Sequence, residues 1–133
     1  QYFIIEILFL LAAYVVAGLH GIIFVLFHSF VSILLLELVD YIQHYGLQRK
    51  KVNEKYERYN ELHSWNSRHP SANWSTFNLG LHSEHHKTAS KHYPLLSYDK
   101  QQMEMPVNYS MMIAMALLPF VWFKVMDPKL IAD

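Results

Sequence analysis

The chain has 133 residues, enough for one modest domain. Its eleven basic and eleven acidic residues cancel, so it lacks the basic footprint of a nucleic-acid binder. With no cysteine, it can build no disulfide, zinc ribbon, iron–sulfur cluster or thiol nucleophile of its own.

Hydrophobic residues make up 53% of the chain, and they are segregated. Residues 1–39 are almost wholly apolar, whereas nearly all the charge lies between Asp40 and Glu104. A soluble domain intersperses the two classes, so the pattern predicts a membrane protein with an aqueous-face region. The abrupt start, QYFIIEILFLL, has no basic stretch or small-residue cleavage site ahead of it. It reads as the interior of a longer protein rather than a signal peptide.

Residues 2–17 form the first apolar run, with Glu6 its only charge. A helix of that length rises roughly 24 Å. GLHG at 18–21 then interrupts the run, and a second run at 22–42 is long enough to span a bilayer. The pattern predicts two antiparallel membrane helices joined by a tight glycine-flanked turn.

Three ionisable residues, Glu37, Asp40 and His44, share one face near the end of the second helix. Charged groups at membrane depth normally face a protein interior; Asp40 and His44 equally suit the point where the helix leaves the bilayer. His20 and His28 read as packed or interfacial side chains. Arg49, Lys50, Lys51, Lys55 and Arg58 follow the exit closely, which assigns this flank to the cytoplasm.

Residues 61–75 carry Ser, Asn and Pro and read as irregular. A helix is expected from Ser75 or Thr76 to about Ser90, followed by a loop over 94–100. The apolar stretch at 107–126, interrupted by Pro119, predicts either a third membrane helix or a helix lying against the aqueous domain or the membrane surface.

The sequence LHSEHHK concentrates imidazoles. His82, His85 and His86 stand at positions i, i+3 and i+4, on one side of a helix. Neutral imidazole suits iron, zinc, copper and nickel. Glu84 is placed to accept a hydrogen bond from the second ring nitrogen of a ligand. No H-E-x-x-H box is present, and no Glu-x-x-His of the carboxylate-rich di-iron bundles.

The stretch DYIQHYGLQR around His44, HSWNS at 63–67, LGLHSEHHK at 79–87 and the tail MPVNYSMMIAMALLPFVWFKVMD together resemble the integral-membrane alkane monooxygenases. That family carries N-Y-x-E-H-Y-G-L-x-R and L-Q-R-H-S-D-H-H-A at corresponding places. The resemblance implies an all-α fold: a membrane-embedded helical hairpin over 1–45, then a cytoplasmic His-rich helical region over 46–133. It implies a multi-pass protein, most simply of a bacterial inner membrane. It further implies two non-haem iron ions, with His44, His82, His85 and His86 among their ligands, and Gln43, Glu84, Glu37 and Asp40 around them. Dioxygen, a hydrocarbon substrate reached through the lipid bilayer and a rubredoxin-type electron donor complete the expectation. His63, His69 and His92 match no ligand position.

Two departures stand out. Gln43 replaces the family glutamate, so an anionic acceptor is missing beside His44. The family's two earlier histidine boxes are not in this chain, and four histidines do not complete two iron sites. Missing sequence or another chain would supply the rest. The alternatives are a non-catalytic membrane subunit that keeps part of the histidine set, and a relative from the wider fatty acid desaturase and hydroxylase group. The HYGL and HSWNS stretches speak against the latter.

Overall fold

The computed structural model describes residues 2–98 and 102–130. Two compact units divide the chain between Glu37 and Leu38.

The first unit is helical. Helix α1, Tyr2–His44, is broken inside by Gly18, whose φ of 59° and ψ of −143° are non-helical. A run this rich in Leu, Ile, Phe and Val is helical because, in lipid, only internal hydrogen bonds satisfy the backbone. Its apolar side chains are exposed along the run, among them Phe3, Phe9, Val15, Phe24 and Phe27, as a lipid-facing surface requires. The expected turn at 18–21 is a single residue, because the helix resumes directly after Gly18. The chain reverses sharply there. A Cβ built on Gly21 would stand 2.1 Å from the carbonyl oxygen of Ala13, whereas in an unbroken helix residues eight apart are about 12 Å from each other. Gly21 is buried in this contact.

The second unit takes in the last turns of α1 and everything after them. Gly46, at φ 70°, ends α1 in the left-handed conformation that glycine favours. A hairpin that the sequence pattern did not suggest follows, β1 at Lys51–Val52 and β2 at Lys55–Tyr56, pairing Lys51 with Tyr56 and Val52 with Lys55. Its two-residue connection, Asn53 and Glu54, has positive φ at both positions, as a type I′ turn requires.

The single helix expected from about 75 to 90 is two short ones, α2 at Pro70–Ser75 and α3 at His82–Lys87. Pro70 suits a first helical turn, so α2 starts earlier than expected. Between them, Phe77 and Asn78 are left-handed, at φ 52° and 61°, and the Gly80 carbonyl turns aside to accept the Ser67 N–H at 2.8 Å. A 3₁₀ turn covers Tyr93–Leu95. Of the loop expected over 94–100, Asp99 and Lys100 lie outside the described residues.

The apolar tail forms α4, Tyr109–Ala116, and α5, Pro119–Leu130, bent by 118° at the proline. Asn108 caps α4 by accepting the Met111 N–H at 3.0 Å. At 1.5 Å per residue neither helix alone crosses a hydrocarbon core of about 30 Å. Their inner faces instead build the core of the second unit: Tyr109 and Met112 from α4, Trp122 and Met126 from α5, packed with Ile42, Trp65 and Met105.

Candidate metal centre

The site is assembled by a strap, residues 63–67, whose five side chains are all buried. The last carbonyls of any helix lack intrahelical partners. Here the strap supplies them: the Trp65 N–H donates to the Gln43 carbonyl at 2.8 Å, and the Trp65 indole N–H to the Tyr45 carbonyl at 2.8 Å. On its other side the strap grips the start of α3. The Asn66 side chain donates to Ser83 Oγ at 2.6 Å and accepts the Ser83 N–H at 3.0 Å, and Ser64 Oγ lies 2.7 Å from Ser83 Oγ. His44, the last residue of α1, is thereby brought against His82, the first residue of α3.

Three imidazoles converge. His44 Nε2 lies 3.1 Å from His82 Nε2, and His86 Nε2 lies 2.7 Å from the same atom. One nitrogen from each of the three falls within 4.8 Å of the others. His44 Nδ1 is 3.0 Å from the carbonyl oxygen of His63. A carbonyl only accepts, so the proton of neutral His44 is on Nδ1, and the Nε2 lone pair points into the cluster. Burial, reinforced by His86, His44 and His85, pushes the His82 pKa down to about 3. Burial first, then His44 and His85, also lowers that of His86. Three lone pairs facing one another repel, and a single proton relieves only part of that repulsion. A divalent cation satisfies all three at once. The donor set fits a borderline transition metal such as iron.

The other residues singled out in the sequence fall around this centre unequally. His85 is set apart, its ring 6.2 Å from that of His82 and 5.8 Å from that of His86. It lines a cleft of about 250 Å³ with His82, Phe77, Leu79, Tyr93 and Leu96. Asp40 holds a carboxylate oxygen 3.7 Å from His44 Nε2 and is largely exposed; its charge adds negative potential where a cation would sit. Glu37 is exposed and belongs to the first unit. Gln43 is buried and donates to the Leu79 carbonyl at 3.2 Å and to the Tyr109 hydroxyl. Those bonds tie the end of α1 to the segment before α3 and to α4 rather than reaching a ligand. Glu84 pairs with Lys91 and accepts from the Ser97 hydroxyl at 2.8 Å, so it anchors the chain after α3. Lys91, then Ser97, holds its carboxyl below the usual range. His82 Nδ1 is buried with no hydrogen-bond partner among the described residues.

The sequence alone assigns no part to Tyr59, Ser64, Asn66 or Ser83, and HSWNS stands out in it only as a motif. Its polar residues spaced through a buried segment are the signal of a brace, because buried polar groups need partners.

Comparison with known proteins places this geometry. A family model described as fatty acid desaturase matches residues 1–124. The chain belongs to the fatty acid desaturase family. Within reach of that family the chain is 42% identical over 113 residues to alkane 1-monooxygenase 1 of Pseudomonas aeruginosa, covering 84% of this chain and 30% of that protein. It is 41% identical over 114 residues to alkane 1-monooxygenase 2 of Alcanivorax borkumensis, again 84% of this chain and 30% of the relative. To alkane 1-monooxygenase 2 of Pseudomonas aeruginosa it is 41% identical over 129 residues, 96% of this chain and 34% of the relative. The chain therefore spans about a third of the length of these relatives. They bear out the resemblance to the integral-membrane alkane monooxygenases. The wider desaturase group, set against that resemblance in the sequence reading, is the family whose model matches, so the two were not true alternatives. Desaturase-family membership, together with the long exposed apolar helix α1, associates the chain with a membrane.

Proposed function

We propose that this chain is the C-terminal part of a membrane non-haem di-iron monooxygenase that hydroxylates the terminal carbon of an alkane or similar hydrocarbon. The convergence of the His44, His82 and His86 nitrogens, with burial disfavouring protonation of His82 and His86, supports it most directly. The similarity to alkane 1-monooxygenases supports the substrate class.

In this reading His44, His82 and His86 hold one iron, and His85, whose ring stands apart from those three, serves a second. Further histidines from another part of a longer protein, or from another chain, complete both. Bound iron supplies dioxygen activation, using two electrons from a rubredoxin-type donor on the cytoplasmic side. The chain's own residues donate lone pairs, keep the His44 proton on Nδ1, and hold the rings in place through the buried strap. The α1 hairpin is a pair of membrane passes, and a greasy substrate arrives through the bilayer beside them. Residues 1–45 are then the membrane part and 46–133 the cytoplasmic part.

A membrane subunit without catalytic activity is the second reading. It is favoured by the fact that only three donors converge among the described residues. Iron analysis of the full-length protein separates the two. The enzyme reading expects about two irons per protein, falling in His82→Ala through loss of the first iron and in His85→Ala through loss of the second. An iron-free protein after expression under reducing, iron-replete conditions supports the subunit.

A further inference from the structure

His63 and Tyr59 are not ligands by position, yet both are built into the wall of the histidine cluster. The His63 side chain is buried and fully engaged. Its Nδ1 accepts the Asn60 N–H at 3.0 Å, so its proton is on Nε2, which donates to Glu57 at 3.2 Å. Glu57 is itself fixed, accepting the Lys50 N–H at 2.8 Å. With the ring locked on one side and the strap from Ser64 to Ser67 on the other, the His63 carbonyl cannot turn. It receives two donors: His44 Nδ1–H at 3.0 Å and the Tyr59 hydroxyl at 2.9 Å. The Tyr59 ring also lies 4.3 Å from the His86 ring, inclined at 33°. One tyrosine thus touches the supports of two of the three converging imidazoles.

We propose that Tyr59 and His63 are positioning residues of the metal centre. The locked His63 carbonyl fixes the tautomer and the orientation of His44, and Tyr59 steadies both that carbonyl and the face of His86. The inference rests on the metal-binding reading above and adds to it the groups that aim the nitrogens. Partners of this kind orient metal-ligating histidines and raise their basicity, and their loss typically weakens metal binding about 10- to 100-fold. A hydroxyl that shares an already occupied carbonyl contributes less, about fivefold.

Cobalt(II) binding to the full-length protein tests this, read by equilibrium dialysis and by the ligand-field absorption of the bound ion. His63→Ala is expected to weaken binding about 10- to 100-fold and to shift the absorption, because His44 is free to change tautomer and to rotate. His63→Asn is expected to restore most of both, since its side-chain oxygen can accept the Asn60 N–H in place of Nδ1. Tyr59→Phe keeps the ring against His86 and is expected to weaken binding about fivefold, with a smaller spectral shift. Wild-type affinity and spectrum in Tyr59→Phe and His63→Ala overturn the proposal. If His63→Ala does not fold, Tyr59→Phe decides alone. His82→Ala distinguishes the two levels of inference. Undiminished cobalt binding in His82→Ala removes the metal centre itself. Loss in His82→Ala beside unchanged His63 and Tyr59 variants removes only the positioning role.

Discussion

His82 sits where desolvation and three neighbouring imidazoles all oppose its protonation, and this ties the stability of the metal-free protein to pH. In the unfolded chain its pKa returns to about 6.5. Between there and about 3 the unfolded state holds a proton that the folded state refuses. Stability therefore rises with pH wherever the unfolded state binds more protons, and falls as pH is lowered through this window. His86, lowered for the same reasons, acts in the same direction. Below the ordinary carboxylate range a second loss joins it. Glu61 is held down first by Lys87 and Glu104 first by Arg68, and both must take up protons against those cations. The metal-free, detergent-solubilised protein should show a melting temperature that declines steadily from pH 6.5 downward, with the decline steepening below about 4.5. Replacing His82 with Asn should flatten the upper part of that profile and leave the lower part in place. An unchanged upper slope in the variant places the titration elsewhere.

At the scale of the elements, α1 shows what periodicity can and cannot reveal. A long apolar run with a glycine pair inside it announces two helical arms, and the break falls at Gly18. Its φ of 59° with ψ of −143° is a combination that other residues rarely adopt, whereas the reversal needs Gly21 for a different reason, the absence of a Cβ against the Ala13 backbone. Gly18→Ala is thus expected to cost on the order of 1–3 kcal/mol through backbone strain. Gly21→Ala forces the two arms apart, because a backbone carbonyl cannot rotate away as a side chain can. Cross-linking yield between cysteines introduced at Leu10 and Phe24, one on each arm, should fall in Gly21→Ala and remain near the parent level in a control at Ala12, which is exposed. The shorter elements were less legible for local reasons. Phe77 gives no sequence sign of the left-handed turn that divides α2 from α3, and Asn78 only a weak one. Asn53–Glu54 is a weak hairpin signal beside the Asn-Gly pairs that usually mark such turns. Three of the four histidines named from the motif do converge, and the departure of His85 follows from helical rotation around His82. At about 100° per residue His86 lies roughly 40° to one side of His82 and His85 roughly 60° to the other, toward the cleft beside Phe77.

For the second unit as a whole, the strap makes the cluster a point of closure between segments remote in sequence. The end of α1, residues 63–67 and the first turn of α3 share one set of buried hydrogen bonds through Trp65, Asn66 and Ser83. The core built on α4 and α5 takes in Trp65 of the strap, but Met112, Trp122 and Met126 carry none of these hydrogen bonds. A ligand that binds only the folded state stabilises in proportion to the logarithm of one plus its concentration over its dissociation constant, about 4 kcal/mol at a thousand times that constant. That stabilisation should be delivered to the segments the strap joins. Removing metal from the full-length protein with a chelator is therefore expected to raise amide hydrogen exchange together at 43–47, 63–67 and 81–87. Exchange around Met112 and Trp122 should change little by comparison. Opening at these three places should follow one common rate, since each holds the other two, and His82→Ala should show the raised exchange before any chelator is added. Independent rates at the three segments, or an equal response in α4 and α5, would show that the strap does not couple the histidines to one another.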